Sequence, residues 1–157
     1  MVKNKETISE EMWPLYHEAG HWMIANALGY GGYLTGDLEK GQNFSFVQTS
    51  PKVISLQGLK NQILISFGGL SAEKLLEIPL NFGHIGDLTI ACDFLKTLNN
   101  LEGKTFNYEN YLDFPDKEYD YYLSQGEIVL NKVGGKETIL KVGNYFYEEL
   151  NKMKKIK

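Results

Sequence analysis

The stretch His17-Glu18-Ala19-Gly20-His21 decides how the rest of the chain is read, because it sets two imidazoles and a carboxylate at H-E-x-x-H spacing inside a helically patterned segment. On a helix, positions i and i+4 share a face about 6 Å apart along the axis, so both imidazoles can converge on one ion. Glu18 follows His17 by about 100° of rotation, which places its carboxylate beside that ion and within reach of a proton on bound water. These residue types at this spacing imply metal-assisted hydrolysis of a peptide bond, with His17 and His21 as zinc ligands and Glu18 as general base. The plainer alternative is a helix whose histidines only cap or pack. It supplies no reason for two histidines one turn apart around a glutamate.

Outward from the motif, the helix is expected to begin between Thr7 and Pro14, with Thr7 and Glu10 spaced as a capping box and Pro14 in an opening turn, and to run to Leu28. Gly29, Gly31 and Gly32 break it. Tyr33 to Leu38 and Asn43 to Thr49 then read as a small antiparallel pair around Glu39 to Gln42, closed by Pro51. A long helix is expected from Ser55 to Leu76, on Leu56, Leu59, Ile63, Phe67 and Leu70, with Gly68-Gly69 marking close packing against the His17 helix. After a loop from Pro79 to Gly86, Leu88, Ala91, Cys92, Leu95 and Leu98 mark a helix starting near Asp87. Pro115 opens a further helix, Gly134-Gly135 closes it, and Ile139, Val142, Phe146, Leu150 and Met153 stripe the last, which makes a C-terminal helical hairpin. Tyrosines 108, 111, 119, 121 and 122 read as a half-buried helix edge. The fold class is mainly α (α+β): a zincin-like helical peptidase domain with a small antiparallel β element.

The 157 residues, with 43% apolar and 13% aromatic, suit one domain spanning 1–157, with a zinc-binding core over about 9–99 and the hairpin over about 113–154. A formal net charge of −4 without a basic stripe argues against nucleic acid or an anionic membrane as partner. The short Lys-rich end from Lys152 to Lys157 reads as a solvated helix terminus. One cysteine, Cys92, excludes an internal disulfide and fits a reducing cytoplasm. Neither an apolar region of signal-peptide length nor a bilayer-spanning run stands out, so a cytoplasmic protein is expected.

A catalytic zinc takes three protein ligands and keeps a fourth position for water, so one more ligand is needed. The metzincin extension would put a histidine where Ala27 stands, which excludes that pattern. Glu73, Asp87 and His84 all stay open as the third ligand on residue type and order.

Three stretches, His17-Glu18-Ala19-Gly20-His21, Phe67-Gly68-Gly69-Leu70-Ser71-Ala72-Glu73 and Gly86-Asp87-Leu88-Thr89-Ile90-Ala91, follow one another in the order and approximate spacing of the FtsH family. The chain resembles the peptidase domain of those ATP-dependent, membrane-anchored zinc proteases, from about Leu15 to Leu98. The resemblance implies that His17, His21 and Asp87 hold zinc, that Glu18 is the general base, and that Glu73 accepts a hydrogen bond from a ligating histidine. Three departures stand out. Gly86 replaces a common Asn before the ligand Asp, Trp22 replaces the Ala after the second histidine, and His84 has no counterpart. Trp22 is expected either to reshape the packing behind the metal helix or to narrow the adjoining pocket.

The chain contains no G-x-x-x-x-G-K-[ST] phosphate loop, so ATP-independent action in cis is expected, on unfolded or extended polypeptides or with a separate unfoldase partner. The substrate is expected to lie along the strand at Phe44, Ser45, Phe46 and Val47, because an added strand satisfies peptide hydrogen bonds with little reading of sequence. The family forms hexamers, and a homo-oligomer of weakened ring-forming tendency is expected here. The alternative is a zinc-stabilised, catalytically inactive binding or regulatory module derived from such a peptidase. Intact Glu18 counts against it. A small hydrolase acting on non-peptide amides ranks below both.

Overall fold

Pro14 lies in the first turn of helix α1 (Trp13–Ala27), where a missing amide hydrogen costs nothing, and a 3-10 turn over Glu10–Met12 leads into it. A computed structural model describes residues 8–37, 42–51, 55–79, 83–104 and 111–155, so the expected capping role of Thr7 lies outside the described residues. Gly29, with φ +88°, ends the helical run, and the chain turns into strand β1 (Gly32–Asp37), which pairs antiparallel with β2 (Gln42–Gln48). In register, Tyr33 faces Val47, Leu34 faces Phe46 and Thr35 faces Ser45, with an irregularity between Thr35 and Asp37. The expected connection around Glu39 falls outside the described residues apart from Gln42.

The single helix expected over Ser55 to Leu76 is two helices, α2 (Leu56–Ser66) and α3 (Gly68–Leu76). Ser55 caps the first, its Oγ accepting from the Gly58 N–H at 3.0 Å. The break falls at Phe67, whose backbone (φ −83°, ψ −5°) ends one helix and starts the next. Its ring is fully buried against Phe114, Tyr119 and Tyr122, with centroids 5.5–5.8 Å away, so aromatic packing from the C-terminal half holds the corner. Periodicity does not register a one-residue corner, because apolar spacing runs through it: Leu59, Ile63, Phe67 and Leu70 are all buried, while Leu56 is exposed in the first turn.

Helix α4 (Gly83–Leu101) starts a turn earlier than expected, so Asp87 sits inside the helix and is not its cap. Asp116 and Glu118 open α5 (Asp116–Lys132), where carboxylates suit the N-terminal dipole. Gly134 and Gly135, with φ of +116° and +63°, turn the chain into α6 (Gly135–Lys155), completing the hairpin. Among the described residues, the molecule is mainly helical with one two-stranded sheet. Of the tyrosine cluster, Tyr122 is buried, Tyr119 packs on Phe67 and Tyr121 is exposed; residue 108 and the side chain of 111 lie outside the described set.

Two apolar clusters fill the interior. One joins Leu59, Ile63 and Phe67 to Leu88, Leu95 and Tyr122; the other joins Ile24 to Ala72, Leu130 and Ile139. Helix α1 belongs to the second cluster and packs against α3, and that contact is made by glycine. A Cβ on Gly68 would lie 2.7 Å from the Gly20 carbonyl oxygen and 2.7 Å from the His21 Cα, and a Cβ on Gly20 would collide with the Gly68 carbonyl. The close packing expected of Gly68-Gly69 is present. Because the opposing atoms are backbone and cannot rotate away, Gly20→Val should destabilise the protein by about 3 kcal/mol or more, read as a lowered midpoint in urea unfolding.

Candidate metal centre

Helix α1 carries His17 and His21 on the face turned toward α3, where both are buried (3% and 5% exposed). A buried imidazole needs partners for both nitrogens. His17 Nδ1 donates to Glu73 Oε1 on α3 at 2.6 Å, and His21 Nδ1 donates to the Ile65 carbonyl of α2 at 2.6 Å. Both Nε2 atoms are thereby turned to one point. There they meet Asp87 Oδ2 of α4, 2.6 Å from His17 Nε2 and 3.1 Å from His21 Nε2, with the two Nε2 atoms 3.2 Å apart.

Three atoms spaced in this way can all lie ~2.0–2.1 Å from one point, the bond length of a divalent transition metal to imidazole and carboxylate. With both Nδ1 atoms committed as donors, a metal that displaces the Nε2 protons would meet two nitrogen lone pairs and a carboxylate oxygen, an N,N,O donor set. Among the described residues, His17, His21 and Asp87 form the one such group with ligand atoms this close together. Of the candidates left open by sequence, Asp87 reaches the histidines, Glu73 orients His17 from behind, and the side chain of His84 lies outside the described residues.

The electrostatics follow from burial and pairing. Burial disfavours the charged form of His17, but the hydrogen bonds to Asp87 and Glu73 outweigh it and lift its pKa to about 10. Burial likewise opposes charging of His21, and the negative Asp87 beside it wins. Asp87 is itself partly buried, which would raise it, yet the facing histidines hold its carboxyl well below the usual carboxylate range. Burial raises Glu18 against the opposing pull of His21, His17 and the Phe46 amide.

Glu18 Oε2 accepts the Phe46 N–H at 2.9 Å, which ties the carboxylate to β2 and shows which edge of the hairpin faces the centre. Since Gly31 and Thr49 bond across the hairpin, the amides of the even residues of β2 point away from β1, toward α1. Beside this edge lies a cleft of about 370 Å³. Its wall includes Glu18, His21, Asp87, Ser45, Phe46 and Val47. Phe44, expected with them, is outside that wall; its ring covers Gly36 across the hairpin. Trp22 packs edge-on against Phe146 of α6, 5.7 Å between centroids, and does not line the cleft.

Sequence reasoning missed the Ile65 carbonyl and the contributions of Gln62, Ser66, Ile90 and Phe94 to the wall. A backbone carbonyl has no residue-type signal, and the others read as ordinary members of amphipathic helices. No protein family, curated protein or solved structure matches this chain.

Reconstitution with zinc followed by desalting should leave near one ion per chain by elemental mass spectrometry; Asp87→Ala should lose it, and Glu73→Gln should weaken binding by about 10- to 100-fold in a chelator competition. In the metal-free protein the sign of pH dependence follows from His17 and Asp87. His17 is raised on folding, so its contribution is complete below its ordinary pKa of 6.5 and disappears as pH climbs toward about 10. Asp87 is lowered, so its contribution is complete above 3.8 and disappears in acid. The melting temperature of metal-free protein should therefore fall between pH 6.5 and 10, measured by circular dichroism, and saturating zinc should flatten that decline.

Proposed function

We propose that the chain is a zinc-dependent metalloendopeptidase that cuts unfolded or extended polypeptides, acting in the cytoplasm without ATP in cis. The observation that carries this reading is the convergence of His17 Nε2, His21 Nε2 and Asp87 Oδ2 beside Glu18, at a cleft bordered by a strand edge. The ordered resemblance to the FtsH-family peptidase domain supports the same assignment, with Glu73 as the group that orients His17.

His17, His21 and Asp87 would hold the ion; a bound zinc supplies Lewis acidity at the scissile carbonyl and acidifies water. Glu18 does the proton work. Its Oε2 is held by the Phe46 amide, which leaves Oε1 to take a proton from the attacking water and return it to the leaving amine. Burial raises the Glu18 pKa, which makes its carboxylate a stronger base toward that proton. An extended substrate pairs along the outer edge of β2, where the Phe46 carbonyl and the Gln48 amide point away from β1, while Ser45 and Val47 line the cleft beside it. Because edge pairing reads main chain, selectivity falls to the cleft wall.

Pairing of this kind needs chain that is already extended, and these residues include no phosphate loop that would power unfolding. The partner is therefore an unfolded polypeptide, delivered by itself or by a separate unfoldase. Among the described residues no helix is long and apolar enough to cross a membrane. The single thiol, Cys92, is buried in a helical core, in keeping with a reducing compartment.

Glu18→Gln keeps the shape of the side chain and removes the base, so zinc content should stay near one per chain while cleavage of unfolded casein drops by about 10²- to 10⁴-fold. Casein cleavage at the wild-type rate by the variant would remove Glu18 from the role of base, and partner capture without any cleavage by the wild type would point to the inactive zinc-stabilised module.

A further inference from the structure

Gln62 is 4% exposed, lines the cleft, and its Nε2 is buried with no hydrogen-bond partner among the described residues. A buried amide left in this condition costs stability, and native proteins rarely keep one without a use. Its position is informative. Gln62, Ile65 and Ser66 stand at i, i+3 and i+4 on α2 and present one face to the cleft, and the carbonyl of that same Ile65 orients His21. The amide therefore belongs to the wall that positions a metal-site histidine.

We infer that Gln62 forms a side-chain subsite next to the scissile bond, selecting a substrate residue with a neutral carboxamide head, asparagine or glutamine. This rests on the peptidase reading above and names its specificity. A substrate carboxamide presents its oxygen to the orphaned Gln62 Nε2 and has an NH2 group to offer the Gln62 carbonyl in return, without bringing a charge into the cleft. An acidic residue would meet Glu18 and Asp87 on the same wall. A lysine would bring a cation beside a bound metal ion. An aliphatic residue fits the apolar part of the wall, made by Val47, Ile65, Ile90 and Phe94, but leaves the Gln62 amide buried and unmatched. The apolar part then covers the stem of the substrate side chain, and Gln62 reads its head.

The test is the affinity of short peptide hydroxamates, which anchor on the metal whichever residue they carry, for zinc-loaded wild type, Gln62→Leu and Gln62→Met. The wild type should bind the glutamine probe roughly 10-fold more tightly than the leucine probe, and both variants should lose or reverse that preference. Both should keep their zinc and melt no lower than wild type, since they replace a partnerless amide with apolar groups of similar volume. Equal binding of the two probes by wild type, a glutamine preference that survives in both variants, or no binding of either probe to zinc-loaded protein overturns the inference. Sequencing the new ends from casein digestion separates it from the broader reading. Cleavage with no enrichment of glutamine or asparagine beside the cut defeats the subsite and leaves the peptidase standing. Probe discrimination with intact casein defeats the peptidase and leaves the subsite.

Discussion

The close approach of α1 and α3 is the constraint on which the rest depends. Gly20 and Gly68 let two backbones meet where any side chain would collide, and Gly69 gives up the space that the His17 imidazole occupies. Brought this near, α1 places His17 within 2.6 Å of Glu73, so one contact ties helix spacing to the orientation of the His17 ring. Ser71, on the same helix α3, donates to the Leu123 carbonyl of α5, and Gly126 leaves room for its side chain. Helix α3 is thus clamped on both faces, and α1 is clamped through it.

Such a centre is expensive to fold. Two histidines and Glu73 are almost completely removed from water, and Asp87 is largely so. Each is tolerable because it is paired: Glu73 with His17, His21 with a backbone carbonyl, and Asp87 with both imidazoles. Apolar residues of similar volume would hold these four helices together with no desolvation penalty. A polar cluster at their junction therefore needs a reason other than stability, and the metal role proposed above supplies one.

The hairpin adds a wall and an edge. Only one edge of β2 is used by β1, and the other faces α1, where Glu18 already takes up the Phe46 amide. The groove is bordered by the outer edge of β2 on one side and by the helical residues Gln62, Ile65 and Phe94 on the other, which are the two surfaces that the proposed strand pairing and side-chain subsite would use. The two halves come from segments far apart in the chain, and each is ordinary alone.

The sequence by itself determined the local parts. H-E-x-x-H spacing put both histidines on one helical face; glycine pairs marked the close contact and the hairpin turn; apolar periodicity found the helices. These were legible because helical period and glycine's missing Cβ act over a few residues. Tertiary structure decided what needed distant partners. The corner at Phe67 is held by rings from Phe114, Tyr119 and Tyr122, to which local periodicity is blind. Residue type alone left Asp87, Glu73 and His84 on equal terms; the family resemblance implied Asp87 in front and Glu73 behind, and the packing of α3 against α1 and of α4 against α2 brings Asp87 to the front of the imidazoles and Glu73 to the back. The Ile65 carbonyl and the Gln62 amide had no signature at all, since a carbonyl belongs to every residue and a glutamine in an amphipathic helix gains a role only from the wall it is packed into.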